Sequence, residues 1–489
     1  MYFKSLENQQ GQNKDVIIAS VPWIETEYAL MAPAVLKPIV EKAGLTCLAV
    51  DINGEAQKYI QANCQNDEQI KDVANYFHEG TCNKHSEKLL LKMFLEIAEK
   101  IVSFNPKFVG LSALVYPAQK SVTWISYFIK KANPNIKIII GGAGVIGTNF
   151  TGRSKFVDEL ISIKLVDYHI RGDGENALYQ LLIGNVDYTG INSIDWKELS
   201  REELSKLPIP DYSDYNFNSF NHNFLGILGS RGCVRSCTYC DYIENWKTFS
   251  WRTADDILKE MVHQNKKHGV TTFKFQDALV NGNLKEFNRL IELVSQWNFE
   301  NPANAFNWDG LYIFRNTTST TEKEWDTLAK SGVTHLSVGI ENLNEHIRAA
   351  MGKKFSNKSL EFHLEQAQKH NIKVSMLMIV GYINETQQNI DYAKQWLIEN
   401  VRFRDTVVFS WGSTLGILEN TYLLRNEKQL GIKIHGLGPH WVNESIQSTP
   451  KRRAEWAVDL YKFSKQLGYN VQTTTHSDSV IERLLNDSN

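Results

Sequence analysis

The 489-residue sequence predicts an α/β protein. A doubly wound, Rossmann-like parallel sheet comes first, then a partial (β/α)6 barrel of the TIM type and a small C-terminal extension. Three observations carry this reading. Short apolar runs rich in β-branched residues alternate with longer helical patterns, as parallel strands covered on both faces require. Two prolines in Lys206-Leu-Pro208-Ile-Pro210-Asp-Tyr212 interrupt the alternation. Beyond them the strand and helix pattern restarts, and repeated right-handed crossovers of that kind curl toward a barrel.

In the first alternation, strands are expected at 15–20, 46–51, 107–114, 136–142 and 166–172, with helices at 28–43, 86–103, 117–132 and 175–183. Segment 55–85 is polar and weakly periodic and reads as an inserted loop or short helices. In the second alternation the expected strands are 224–230, 272–277, 305–313, 334–341, 373–381 and 407–412. Helices are expected at 253–268, 284–297, 321–331, 356–370 and 386–400, and one more, 450–467, in the tail. The expected domains are 1–200, 206–420 and 421–489.

Composition narrows the function. Hydrophobic residues at 42% and charged residues at 22% describe an ordinary globular chain and exclude collagenous or largely disordered classes. A net charge of −2 offers no basic footprint for nucleic acid or anionic lipid. The polar start MYFKSLENQQGQNKD lacks an apolar core of signal-peptide length, and no run approaches the ~20 apolar residues that span a bilayer. A cytoplasmic protein without membrane or nucleic-acid partners is expected.

Six cysteines are too few for a disulfide scaffold. Cys47, Cys64 and Cys82 are scattered and read as free thiols. Cys233, Cys237 and Cys240 form C-x3-C-x2-C directly after the first strand of the second alternation. Three thiolates on one short loop can converge on one metal centre, and a soft metal or iron-sulfur cluster favours the deprotonated sulfur. A structural zinc site would want a fourth Cys or His nearby, and the loop has none. Chance cysteines or zinc remain the alternatives.

This loop resembles the one in radical S-adenosylmethionine (SAM) enzymes, in the subgroup that carries a cobalamin-binding domain and includes methyltransferases. The resemblance implies that Cys233, Cys237 and Cys240 hold a [4Fe-4S] cluster whose fourth iron binds SAM, and that reductive cleavage of SAM supplies a 5′-deoxyadenosyl radical. It covers about 200 residues. Tyr239 matches the aromatic beside the adenine, and Trp251-Arg-Thr-Ala-Asp-Asp-Ile-Leu-Lys-Glu260 is similar to the family's first helix. Gln276 and Asp277, ending the second strand, stand where polar groups accept from the SAM amino group. Ser337-Val-Gly339-Ile-Glu341 and Met351-Gly-Lys353 are similar to the GxE and MxK segments, so Glu341 would bond the SAM ribose or amino-acid part; a solvated helix cap is its other reading. Gly381, in Met378-Ile-Val-Gly381-Tyr-Ile-Asn-Glu385-Thr386, belongs to the stretch that lies against adenine, with Ile383 where a proline is usual. Arg315 could meet the SAM carboxylate or form a surface salt bridge.

In the first half, Ser112-Ala-Leu114 and Gly141-Gly142 resemble the elements of cobalamin-binding domains that line the channel for the nucleotide tail, where small residues let the backbone approach a bulky ligand. Gly141-Gly142-Ala-Gly144 is not a full dinucleotide fingerprint. Arg171-Gly-Asp-Gly174-Glu175 is similar to the GEGE-like turn ending that domain. The D-x-H-x-x-G segment that supplies a cobalt-ligating histidine is missing after Ser20-Val-Pro22-Trp23, and no histidine precedes His78. Cobalamin held without a protein histidine and a cobalamin-type fold that has lost its cofactor are both open, and Trp23 is a core aromatic or lies beneath the corrin.

The expected activity is cobalamin-dependent methylation of an unactivated carbon; the alternative is cyclisation, rearrangement, epimerisation or oxidation without cobalamin. A small-molecule or peptide substrate and an electron donor such as flavodoxin or ferredoxin are implied. Trp308, Tyr312, Trp411, Trp441 and Tyr242 are candidates to line the cavity, yet with 11% aromatic residues overall most of them are expected in the core.

Overall fold

The computed structural model describes residues 2–7, 11–24, 28–146, 155–193, 195–220, 224–317 and 321–472. The chain divides into two compact units, Met1–Gly226 and Ile227–Asn489.

Unit 1 holds β1 (Val16–Ser20), β2 (Cys47–Asp51), β3 (Phe108–Ser112), β4 (Lys137–Gly141) and β5 (Tyr168–Ile170). They form one parallel sheet in the order β2-β1-β3-β4-β5. Successive residues of one strand serve opposite cores. Ile17, Ala19, Leu48 and Val50 face one, Val16, Ile18, Cys47 and Ala49 the other. That alternation is what two layers of covering helices demand, and the fold is doubly wound as expected. This strand order reverses direction between β1 and β3, and such switch points open a crevice at the carboxyl ends of the strands.

Segment 55–85 is largely helical rather than a loop. Helices run Ile52–Asn63, Asp67–Glu79 and Lys84–Val102, started by the side-chain caps Asp51, Asn66 and Asn83. Gly80, at φ +81°, ends the second. In Asp67–Glu79 the buried residues Gln69, Val73, Tyr76 and Phe77 recur at i, i+4, i+7 and i+8. Two of the four carry polar atoms, which hides the stripe from a reading by hydropathy.

Unit 2 begins inside β6 (Phe224–Ile227). A two-stranded ribbon of β7 (Ser230–Arg231) and β8 (Ser250–Trp251) follows. Then come β9 (Thr272–Phe275), β10 (Asn307–Tyr312), β11 (Val333–Glu341), β12 (Lys373–Val380) and β13 (Val407–Thr414). A second ribbon, β14 (Lys433–Ile434) with β15 (Trp441–Val442), precedes β16 (Asn470–Gln472). The large sheet has the order β16-β13-β12-β11-β10-β9-β6. It is the expected six-stranded partial barrel with a seventh, three-residue strand, too short to leave a periodic signal in the sequence.

One face of this sheet is an aromatic layer. Phe275, Trp308 and Tyr312 meet Phe287 and Trp325 of the helices Leu284–Glu300 and Glu322–Lys330. Trp411 donates to Ser464 Oγ at 2.8 Å and Trp441 to the Leu415 carbonyl at 2.9 Å, both fully enclosed. Trp308, Tyr312, Trp411 and Trp441 are therefore core, not cavity lining, while half-buried Tyr242 stacks on Trp246. Several residues of the opposite register are polar. Lys274 lies 3.5 Å from Asp309, and His335 is 2.7 Å from Ser375 Oγ. Among the described residues no helix is long and apolar enough to cross a membrane.

Asp51, at the end of β2, is buried and accepts from the main-chain N–H of Leu30 (2.7 Å) and Asn53 (3.0 Å). Burial outweighs those two bonds and pushes its carboxyl up to about 7 from 3.8. The folded state thus holds a proton that the unfolded chain has released, and this group's stabilising contribution is lost as pH rises from about 3.8 to about 7. Asp51→Asn should cost about 1–3 kcal/mol near pH 4 and progressively less toward pH 7. Urea unfolding of both proteins across that window checks the sign; a gap that widens with pH contradicts it.

Candidate functional site

The cysteine loop leaves the sheet at the carboxyl end of β6. Asp277, just past β9, fixes its beginning by accepting from Gly229 N (2.9 Å) and Ser230 Oγ (2.5 Å). Gly232, at φ +82°, turns the chain so tightly that a Cβ there would lie 2.3 Å from the Thr248 carbonyl. Cys237 is buried and Cys233 and Cys240 are half-buried. The N–H of Arg235 points at Cys233 Sγ and that of Tyr242 at Cys240 Sγ, each at 3.4 Å. Burial raises the Cys233 thiol and pushes that of Cys240 up to about 11, so a metal must displace protons to bind.

Among the described residues no three His, Cys, Asp or Glu side chains converge tightly enough to hold a single metal ion. A tetrahedral zinc ion would need such convergence. A multi-iron cluster does not, because each thiolate binds a different iron, and main-chain N–H groups aimed at the sulfurs are among the features that tune such clusters. The donor set and its N–H···S bonds fit a cluster.

Beside the loop, β11 ends on Glu341, only 8% exposed and at φ +66°. A positive φ at a non-glycine residue costs about 1–3 kcal/mol and persists where the surroundings hold it. Lys353 Nζ lies 3.2 Å from Glu341 Oε1 and donates to the Gly339 carbonyl at 3.1 Å. Gly339 makes room: a Cβ there would sit 2.3 Å from Glu341 Oε1 and 2.7 Å from Lys353 Nζ. Tyr239 joins the set: its hydroxyl is raised by burial first and then by the nearby Glu341 and Cys237. Cys237, Tyr239, Glu341 and Lys353 are thus gathered in one place, and Glu341 is no solvated cap.

The chain after β12 is held by main-chain bonds. Glu385 accepts from Gly381 N (2.5 Å), Tyr382 N (3.1 Å) and Asn342 Nδ2 (2.6 Å), so the residue beside Glu341 is tied to Gly381. Gly381, at φ +81°, packs on Arg453, whose Cδ would lie 2.2 Å from a Cβ. Where a proline would have stiffened this turn, the Ile383 carbonyl accepts from Asn443 Nδ2 at 2.8 Å. Asn443 and Arg453 carry no sequence signal for this role.

Of the other expected residues, two have their side chains engaged within the chain and the third has its side chain exposed. The Arg315 guanidinium pairs with Glu324, both largely buried, which realises its salt-bridge reading in the interior rather than at the surface. The Asp277 carboxylate is spent on Gly229 and Ser230, and burial pushes it up to about 6. Gln276 has an exposed side chain and donates its own N–H to the Ile227 carbonyl.

In unit 1, Ser112 and Gly141 pair across β3 and β4. Leu114 is 50% and Tyr116 57% exposed, beside exposed Gly142. A Cβ on Gly142 would lie 2.3 Å from the Ala113 carbonyl, and one on Gly144 2.1 Å from that of Val115, so these glycines let two loops pack backbone on backbone. In the Arg171–Glu175 turn, Gly172 at φ +75° lies directly against the Trp196 ring. Trp23 is buried and stacked on Phe77 at 5.2 Å, as its core reading expects.

Residues 227–397 match the profile of the Radical SAM superfamily. A curated relative, the anaerobic magnesium-protoporphyrin IX monomethyl ester cyclase of Synechocystis sp., is 25% identical over 278 residues, 52% of each chain. The chain spans about half the length of the curated relatives it matches first. Among solved structures, the radical S-adenosylmethionine methyltransferase TsrM from Kitasatospora setae, with cobalamin and a [4Fe-4S] cluster bound, matches with TM-score 0.63 at 14% identity, over 97% of this chain and 100% of that one. The cobalamin-dependent S-adenosylmethionine radical enzyme OxsB, with aqua-cobalamin and S-adenosylmethionine bound, matches with TM-score 0.59 at 14% identity, over 92% of this chain and 66% of that one. The chain therefore carries a radical SAM domain at residues 227–397 and shares the fold of the cobalamin-dependent radical SAM enzymes.

Proposed function

We propose that this protein cleaves SAM reductively at a [4Fe-4S] cluster held by Cys233, Cys237 and Cys240, and that it methylates an unactivated carbon with cobalamin carried by unit 1. The observation that carries the first part is the clustering of Cys237, Tyr239, Glu341 and Lys353 beside a loop whose outer thiols accept main-chain N–H bonds. When bound, cluster and SAM supply a carbon radical able to attack a C–H bond that general acids and bases cannot activate. Glu341 is the acceptor for hydroxyl or amino groups of SAM, and Lys353, 3.2 Å from Oε1, holds its carboxylate in place. Gly381 and Tyr382, pinned by Glu385, offer main chain to the adenine. Tyr239 and its apolar neighbours Met351 and Ile383 exclude water from the reacting atoms.

The cobalamin part rests on exposed Leu114, Tyr116 and Gly142 at the carboxyl edge of a sheet whose strand order opens a crevice there. No protein histidine is assigned to cobalt. The likeness to a magnesium-protoporphyrin cyclase favours a second reading, radical ring closure without methyl transfer. The substrate is a small molecule or peptide, and the electron comes from a flavodoxin- or ferredoxin-type donor.

Anaerobically reconstituted protein should be brown, hold about four irons and release 5′-deoxyadenosine under strong reductant, and Cys237→Ala should lose both iron and cleavage. A colourless wild type, or an active Cys237→Ala variant, contradicts the cluster assignment. Glu341→Gln should keep its iron while the KM for SAM rises roughly ten-fold or more, from the loss of one charged hydrogen bond. Hydroxocobalamin should co-purify with the chain through gel filtration and be lost in Leu114→Arg, and product should gain one methyl. Turnover without corrinoid or methyl gain selects the second reading.

A further inference from the structure

Tyr382 is enclosed in a small core with Ile347, Met351, Ile383, Leu415, Ile417, Leu423 and Trp441. A tyrosine in such surroundings brings a hydroxyl that must find partners, where phenylalanine would pack equally well. The Tyr382 hydroxyl has two. It lies 3.1 Å from the Ala350 carbonyl and 2.7 Å from Thr238 Oγ1. A carbonyl only accepts and a phenol has one hydrogen, so Tyr382 donates to Ala350 and the Thr238 hydroxyl donates to Tyr382.

Thr238 stands between Cys237 and Tyr239, and all its polar groups are engaged. Its N–H donates to the Met351 carbonyl at 3.2 Å, and its carbonyl accepts from Leu423 N at 3.3 Å. On the other side of Cys237, a Cβ at Gly352 would lie 3.2 Å from the Cys237 Cα. The middle of the cysteine loop is thus pinched between the Ala350–Gly352 segment, the β12 loop and the C-terminal extension. Turning the peptide between residues 237 and 238 would break the Thr238 N–H bond to Met351, and turning the next peptide, which carries Tyr239, would break the bond from Leu423.

We propose that the Thr238–Tyr382–Ala350 hydrogen-bond chain is a positioning device: the Tyr382 hydroxyl fixes the main chain at Cys237, and through it the middle thiol and Tyr239. This rests on the assignment of Cys237 to the cluster. Neither hydroxyl touches the reacting atoms, and both act through the backbone.

The test uses the full chain in two forms. In iron-free protein, iodoacetamide labelling of Cys237, read by mass spectrometry against Cys64 as internal reference, reports local opening of the loop. Tyr382→Phe and Thr238→Val should each speed Cys237 labelling roughly ten-fold, and the double variant no more than either alone, as for links of one chain. Thr238→Ser, which keeps the hydroxyl, should behave as wild type. In reconstituted protein both single variants should retain wild-type iron, while the electron paramagnetic resonance spectrum of the reduced cluster with SAM shifts. Unchanged labelling, additive effects or an unchanged spectrum overturns the proposal. A wild type that takes up no iron would instead refute the cluster assignment, and the labelling would still decide whether the clamp exists.

Discussion

An eight-residue loop bearing three thiols has no helix or strand to hold it, so its shape must be imposed by its neighbours. Here the constraint is a set of buried polar groups that spend their bonding capacity on main chain. Asp277 takes the N–H of Gly229 and the hydroxyl of Ser230 at the start of the loop. The Met351 carbonyl, the Leu423 N–H and the Tyr382 hydroxyl take its middle. Glu385 does the same for the facing turn through Gly381 and Tyr382. Burying a carboxylate is costly, and both Asp277 and Glu385 have their carboxyls raised by it. Several main-chain donors offset that cost, which is how a buried polar group can specify one geometry.

The same logic explains where small and strained residues fall. Gly232, Gly339 and Gly381 stand where a Cβ would collide with the Thr248 carbonyl, the Glu341–Lys353 pair and Arg453, and Gly352 where one would press on Cys237. Glu341 sits in the left-handed region with no such freedom, held by Lys353 and by the tie between Asn342 and Glu385. The tension is local and lies at the carboxyl ends of parallel strands, where both α/β architectures of this chain collect their candidate groups.

The C-terminal extension has a larger part than its composition suggests. Its Leu423 and Trp441 pack with Met351, Tyr382, Ile383, Leu415 and Ile417 into one core. Asn443 and Arg453 brace the turn after β12 from the other side. Loss of the usual proline at position 383 is therefore matched by an asparagine sixty residues away, a compensation between distant segments that no local pattern reveals.

Reading along the chain was sufficient wherever the physical signal is local. Apolar runs marked the strands, since a strand buried on both faces needs consecutive apolar residues. The spacing of Cys233, Cys237 and Cys240 was equally plain, because ligands on one loop are near each other in sequence. Helix Asp67–Glu79 was legible only as one of two alternatives, loop or short helices, because two of its four buried positions are Gln69 and Tyr76. Arg315 and Asp277 were legible as polar groups at strand ends, but not as partners of Glu324 and of Gly229 and Ser230. Sequence alone determined the order of elements and the thiol donor set. Only the tertiary structure decided which polar side chain faces which backbone, because hydrogen bonds are satisfied by neighbours in space and the partners of Thr238, Gly381 and Ile383 come from segments far along the chain.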